Sequence, residues 1–182
     1  LKLFDKKIFY FPFFSHPDPS VKRKSGFLTP VYGSSNTLGS WVNIPYFKVI
    51  NEEKDMTFNP RIYADDKFIL QSEYRQAFEK SNLISDFSFN HDGKNTNSHL
   101  FTLIEGNLSS KTKFFFKYQD VTNDNYLKIH NLSSSSPIIE SENLLTTQFN
   151  ISKNIDDDTD LDANFTVYED LSKKDSDRFQ YI

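Results

Sequence analysis

The sequence predicts an all-β fold built as an antiparallel meander. Three observations predict it. Apolar and polar residues alternate in segment after segment. The segments recur about every 10–15 residues with turn residues between them, and no stretch carries a long helical period or a parallel strand–helix–strand rhythm. Side chains on a strand point alternately to opposite faces, so each segment has one apolar and one polar face.

Taken in order, Met56, Phe58, Pro60 and Ile62 share one face, and Asp55, Thr57, Asn59 and Arg61 the other. Phe68, Leu70 and Tyr74 alternate with Gln71, Glu73 and Arg75, and Leu83, Phe87 and Phe89 with Ile84, Asp86, Ser88 and Asn90. Residues 100–108 are apolar on both faces. Phe114, Phe116 and Tyr118 alternate with Lys113, Phe115, Lys117 and Gln119. Leu145, Thr147, Phe149 and Ile151 alternate with Thr146, Gln148, Asn150 and Ser152, and Leu161, Ala163, Phe165 and Val167 with Asp162, Asn164 and Thr166. The links at 51–54, 64–67, 79–82, 91–97 and 107–111 are short and polar, as a meander of hairpins requires. The exception is 120–142, a long connection in which Tyr126, Leu127, Lys128 and Ile129 predict a short ordered turn. Toward the N-terminus, an aromatic run at 8–14 is broken at 15–26 by Pro17, Pro19 and Gly26, with Lys22, Arg23 and Lys24 forming a small basic cluster. A hinge and an ordinary solvated loop both fit that stretch.

Composition excludes several classes. Apolar residues make up 37% of the 182, and mean hydropathy is −0.59. No apolar run approaches the ~20 residues of a membrane-spanning helix. Barrel strands escape this test, because only every second residue meets lipid. A net charge of −4 gives no basic footprint for nucleic acid. Cysteine is absent, which removes disulfides and thiolate metal sites from these residues. The 19 Phe and 9 Tyr favour pleated, half-buried surfaces.

No motif invites catalysis. His16, His91, His99 and His130 are scattered, and H-E-x-x-H, G-x-S-x-G, the P-loop and G-x-G-x-x-G are missing. Asp158, Asp160, Asp162 and Glu169 have the spacing of a calcium loop, but Ala163 stands where a glycine must make the sharp turn, so a solvated acidic turn is expected. Asn107, Asn131, Asn150 and Asn164 each open a glycosylation sequon, relevant only to a eukaryotic secreted protein.

Alternation alone fits both a membrane barrel and a soluble sandwich. Mid-strand charge at Arg61, Glu73, Arg75, Asp86 and Lys117 suits a wet lumen, and consecutive hairpins of barrel-length strands suit a hydrocarbon layer. Residues 9–75 add a resemblance. They read F-Y-F-P-F-F-S-H-P-D-P-S-V-K-R-K-S-G-F-L-T-P, then G-S-S-N, I-P-Y-F, D-M-T-F-N-P-R-I-Y and L-Q-S-E-Y-R. In order and spacing this resembles the LptD (OstA/Imp) family, closely over this stretch and loosely beyond it. Several motifs in the right order are far more specific than any one alone. Many family members carry cysteines joining the periplasmic domain to the barrel, and none is present here.

The resemblance implies an incomplete outer-membrane β-barrel, with residues 1–14 closing a periplasmic β-jellyroll (OstA-like) domain, 15–26 a linker and 27–182 the first barrel strands. It implies transport of lipopolysaccharide to the outer leaflet of the bacterial outer membrane, without catalysis or cofactor. The implied partners are lipopolysaccharide itself, an LptE-like lipoprotein plug, an LptA-like periplasmic bridge and outer-membrane lipid, with no nucleic acid. It assigns Pro45 and Pro60 to the first two barrel strands, where a proline without N–H weakens the strand ladder and eases a lateral gate. Pro17, Pro19, Lys22, Arg23, Lys24 and Gly26 then set the hinge, and Asn59, Arg61, Glu73, Arg75 and Asp86 face the lumen toward plug or cargo. Another outer-membrane barrel, such as a porin or receptor, and a soluble carbohydrate-binding sandwich are the alternatives. Leu1 opens inside an alternating segment without a signal peptide, and residues 179–182 read as a strand start, so further sequence is expected on both sides.

Overall fold

A computed structural model of the chain describes residues 23–35, 37–64, 67–91 and 95–182, together with the backbone of 2–3 and 6–7. The expected aromatic run at 8–14, with Pro17, Pro19 and Lys22, lies outside the described residues. Strands β1 (Lys2–Leu3) and β2 (Lys6–Lys7) form a small antiparallel pair. All other strands join one open, twelve-stranded antiparallel sheet.

The sheet runs as a meander. Its strands are β3 (Gly26–Phe27), β4 (Val31–Ser35), β5 (Gly39–Asn43), β6 (Tyr46–Val49), β7 (Lys54–Tyr63), β8 (Phe68–Ala77), β9 (Ser81–His91), β10 (Thr96–Ser109), β11 (Thr112–Val121), β12 (Leu144–Asp156), β13 (Thr159–Asp170) and β14 (Phe179–Tyr181). From β7 to β14 each strand pairs with the next in sequence. The strands from β7 to β13 have 10 to 14 residues, enough to cross a hydrocarbon layer at a tilt. The ambiguous stretch 100–108 lies within β10, the longest of them.

The N-terminal edge is built differently. β5 and β6 are two halves of one strand beside β7, in a single register broken at Ile44 and Pro45. β4 pairs with β5, and β3 with β6. The strand that carries Pro45 is therefore covered on its outer edge by a further interrupted strand, which alternation did not reveal. Residues 28–30, including Pro30, interrupt it, and its β4 half is rich in Gly and Ser. Gly39 closes the β4–β5 turn at φ +73°, a left-handed conformation that glycine adopts without steric penalty. Gly33 lets Trp41 lie across the backbone, since a Cβ there would sit 2.6 Å from the indole.

Between β11 and β12 the chain leaves the sheet. Helix α1 (Tyr126–His130) fills the expected ordered turn, and a 3-10 turn follows at Ser133–Ser135. Asn131 ends α1 at φ 47°, one of the few residue types that tolerates this conformation. A five-residue helix has almost no stability of its own. Packing supplies it, for Tyr126, Leu127, Leu132, Ile138 and Ile139 join Ile69, Phe101 and Leu145 in the hydrophobic core. Leu145 belongs by alternation to the apolar face but is buried, just past the point where the β11–β12 ladder ends.

At the far end of the β9–β10 hairpin, Gly106 faces Ser81. A Cβ on Gly106 would lie 2.5 Å from the Lys80 carbonyl oxygen and 2.7 Å from Ser81 Cα, both backbone atoms that cannot swing aside. Gly106→Ala should therefore lower stability by about 1–3 kcal/mol, read as a drop in the urea midpoint of the chain folded in detergent. Gly26→Ala, where nothing lies within 4 Å, should leave the midpoint unchanged.

Candidate functional site

The registers assign every side chain to a face. One face carries Met56, Phe58, Pro60, Ile62, Phe68, Leu70, Phe87, Phe89, Leu100, Ile104, Phe114, Phe116, Phe149 and Phe165. Over 56–62, 68–74, 83–89, 98–108, 112–118, 145–151 and 161–167 this face holds no Asp, Glu, Lys or Arg. Much of it is bare: Phe89, Leu100 and Phe149 are 46%, 43% and 44% exposed. A bare apolar surface spread across many strands is far beyond the scattered exposed side chains of an ordinary soluble monomer.

The opposite face is polar and largely covered. Asn43, Asp55, Arg61, Gln71, Asp86, Ser88, Asn90, His99, Lys117 and Gln119 are all buried. Residues 122–143 lie over it. Arg61 of β7 donates to the His130 carbonyl, and the Tyr63 hydroxyl meets His130 Nδ1 at 3.0 Å. Gln71 of β8 donates to the Leu132 carbonyl at 3.4 Å and accepts from Ser135 at 2.6 Å. Gln119 of β11 donates to the Ile138 carbonyl at 3.3 Å, and Lys117 reaches Glu140 at 2.8 Å. Arg178, after β13, pairs with Asp124 at the start of the segment.

At the centre, Asp86, His99, Ser88 and Tyr126 form a buried chain. His99 Nε2 donates to Asp86 at 2.6 Å, and Gln71 donates to both Asp86 oxygens at 3.0 and 3.2 Å. With the imidazole proton on Nε2, Nδ1 accepts from Ser88 at 2.7 Å, and Ser88 Oγ accepts from the Tyr126 hydroxyl at 2.8 Å. Ser, His and Asp in hydrogen-bond sequence have the outline of a nucleophilic triad. Here the serine is sealed beneath Tyr126, which is 2% exposed, so no substrate carbonyl can approach it. The chain joins strands to the inner segment. Asp158, Asp160 and Asp162 lie near the β12–β13 turn, whereas Glu169 lies toward the other end of β13 on the opposite face, so the four do not converge.

The two prolines act on successive strand contacts. In an antiparallel hydrogen-bonded pair, each residue both donates to and accepts from its partner. Ile44 N–H donates to the Pro60 carbonyl at 3.4 Å, and Leu28 N–H to the Pro45 carbonyl at 2.8 Å. Neither proline has an N–H to return. One single-bond rung thus lies between β7 and β5/β6, and another between β5/β6 and β3/β4. Beyond them Arg23 reaches across to Asp55, which also accepts from Arg75 at 2.7 Å, and Arg23 donates to the Glu52 carbonyl at 2.7 Å. Lys24 is exposed and Gly26 opens β3.

Residues 6–80 match the model of the family described as LptD protein. Over 131 residues the chain is 30% identical to the LPS-assembly protein LptD of Nitrosococcus oceani, covering 63% of this chain and 18% of the relative. The namesake of Idiomarina loihiensis is 29% identical over 133 residues, covering 69% and 17%, and that of Legionella pneumophila strain Lens 36% over 81 residues, covering 44% and 10%. Over these stretches the chain is similar to LptD proteins. It spans less than a fifth of the length of these relatives.

The LptD match at 6–80 takes in Pro45, Pro60, Asn59, Arg61, Glu73 and Arg75, and stops before Asp86 and the inner segment. Asn59, Arg61, Glu73, Arg75 and Asp86 all fall on the polar face. Sequence reasoning missed Gln71, Ser88, His99, Tyr126 and His130 as a group. Its available signal was Gln71, Ser88 and His99 at positions where strand alternation turns them inward, opposite a long connection that begins with aromatic residues.

Burial pushes His130 down to about 4, with the Arg61 and Lys67 charges adding to the effect. Burial also pushes the Tyr126 hydroxyl up to about 12. Because the folded His130 value lies below the ordinary 6.5, the unfolded chain binds more protons between the two. Stability from neutral His130 is therefore complete above pH 6.5 and is lost as pH falls toward 4, up to about 3 kcal/mol. Acidification across that window should release residues 122–143, seen as faster proteolysis there. His130→Phe, which cannot charge, should flatten the dependence.

Proposed function

We propose that the chain forms part of the wall of a bacterial outer-membrane barrel that delivers lipopolysaccharide to the outer leaflet, and that the wall opens beside Pro45 and Pro60. One observation carries the membrane reading: the apolar face is bare and free of charge at mid-strand, while the polar face is largely buried from β7 to β11. In water that arrangement is inside out, and in lipid it is the expected one. The relatives bear the name LPS-assembly protein, which supports lipopolysaccharide as cargo. A soluble sandwich would have covered the Phe-rich face with a second layer, and among the described residues nothing does.

In this reading residues 1–14 end a periplasmic domain that receives cargo from an LptA-like bridge, and 15–26 form the hinge between that domain and the barrel. Asn59, Glu73 and Arg75 line the lumen, Arg61 and Asp86 face it from beneath residues 122–143, and the half-exposed Arg75 is placed to meet an LptE-like plug or the cargo's polar groups. The work is transfer of an intact molecule, with no bond made or broken. Each proline removes a main-chain bond worth about 0.5–1.5 kcal/mol net in water and more where lipid offers no replacement partner. Two such losses on neighbouring contacts make this the weakest line in the N-terminal part of the wall.

Two tests address separate halves of the proposal. Leu100→Arg places a charge at mid-strand on the bare face and should lower stability in the membrane by about 2–4 kcal/mol. An unchanged yield of folded, membrane-inserted protein would refute the lipid contact. Replacing Pro45 and Pro60 together with Ala should tighten the wall and reduce lipopolysaccharide at the cell surface. Surface lipopolysaccharide equal to that of the unaltered protein would remove the gate.

A further inference from the structure

We infer that residues 122–143 are an internal strap that ties β7 to β11 into one plate, with Trp41 and Arg61 as the pivot on which the β3/β6 half of the edge swings. This rests on the wall-opening reading above and adds where the moving part ends.

The bonding is unequal along the sheet. From β7 to β11 the ladders run without a register shift over most of their length. The strap then crosses these same strands on the inside, bonded to Arg61 and Tyr63 of β7, Gln71 of β8, Ser88 of β9, and Lys117 and Gln119 of β11. His99 of β10 joins it through Ser88. To separate any two of these strands, the ladder and its cross-tie must both break. Elements held in this way open only with large parts of the structure, whereas weakly tied elements open alone.

The edge strands have no such backing along their whole length. The ladder between β7 and β5/β6 is split by Ile44 and Pro45 into runs of three and four pairs. The turn end is pinned: Leu38 is part of the core, and Trp41 packs against it. The Arg61 guanidinium also lies 4.6 Å from the Trp41 ring centre while donating to the His130 carbonyl. Arg61 thus couples the β4–β5 hairpin directly to the strap. Beyond the prolines, β6 and β3 are held to the plate by the β6–β7 rungs, by the short turn at 50–53, and by Arg23 through Asp55 and the Glu52 carbonyl. Arg23 is half-exposed while Asp55 is buried, so one end of this tie is open to water. The movable unit is therefore β3 with β6, the hinge line runs through Pro45 and Pro60, and β5 stays with the plate.

Hydrogen exchange on the intact protein in detergent tests this. Amides of 46–49 should exchange at least tenfold faster than those of 41–43 and of 69–76. Trp41→Leu should bring 41–43 up to the rate of 46–49 and leave 69–76 unchanged. Tyr126→Phe with Ser135→Ala, which removes two hydroxyls and little volume, should speed exchange in β8 and β9 at least fivefold. Equal rates at 41–43 and 46–49 in the unaltered protein overturn the pivot, and unchanged β8 and β9 rates in the double variant overturn the strap. A disulfide between Lys48→Cys and Met56→Cys, neighbours across β6 and β7, separates the two claims. It should block lipopolysaccharide export. Graded exchange with export intact under that lock overturns the wall-opening reading instead.

Discussion

Every peptide group in a sheet needs a hydrogen-bond partner, and in a hydrocarbon layer only another strand can provide one. The pairing of strands in this molecule meets that need. Because the ladder satisfies the backbone, the strand faces are free to differ, one stripped of charge at mid-strand and the other loaded with it. Period-two alternation turns this freedom into geometry, and a register slip of one residue would exchange the two environments. The long unshifted ladders between β7 and β11 hold that separation in place.

A sheet whose apolar side faces outward gives up the usual source of a core. The inner segment replaces it on the other side. Leu127, Leu132, Ile138 and Ile139 bring apolar surface to a polar wall, and Phe101 and Ile69 meet it from the strands. The polar groups left around this small core are matched by specific partners, from the Asp86–His99–Ser88–Tyr126 chain to the main-chain carbonyls of His130, Leu132 and Ile138. Buried polar groups bonded in this way define one docking geometry, since any displacement leaves several of them without partners.

Legibility from sequence followed the same physics. The strands from β7 to β13, apart from β10, are readable because each has one face under a single demand, and demand written with period two is visible in a linear chain. The split strand at 26–35 was not readable, since Gly33, Ser34 and Ser35 carry no facial preference and Pro30 breaks the pattern. The helix at 126–130 was anticipated as a turn, but its destination was not, because the order of residues does not say which wall a connection folds onto. The same holds for the inner cluster. In the sequence Gln71 and Ser88 read as members of polar faces and His99 as scattered, and only the register β8–β9–β10 makes the three adjacent.

Pro45 and Pro60 illustrate how little local chemistry is needed to give a regular wall a direction of weakness. Their side chains project from opposite faces, since Pro60 shares a face with Ile62 and Leu70 while Pro45 stands opposite Asn59 in the continued register. No common ligand or packing partner therefore explains the pair. What they share is the main chain: each carbonyl still accepts from the strand nearer the edge, and each missing donor points the same way. Each of these two prolines thus weakens the contact on its edge side and leaves intact the one on its inner side, where Pro60 remains in the β8 ladder opposite Leu70. A proline facing the other way would weaken the plate. Their orientation, more than their presence, puts both lost bonds on the edge side.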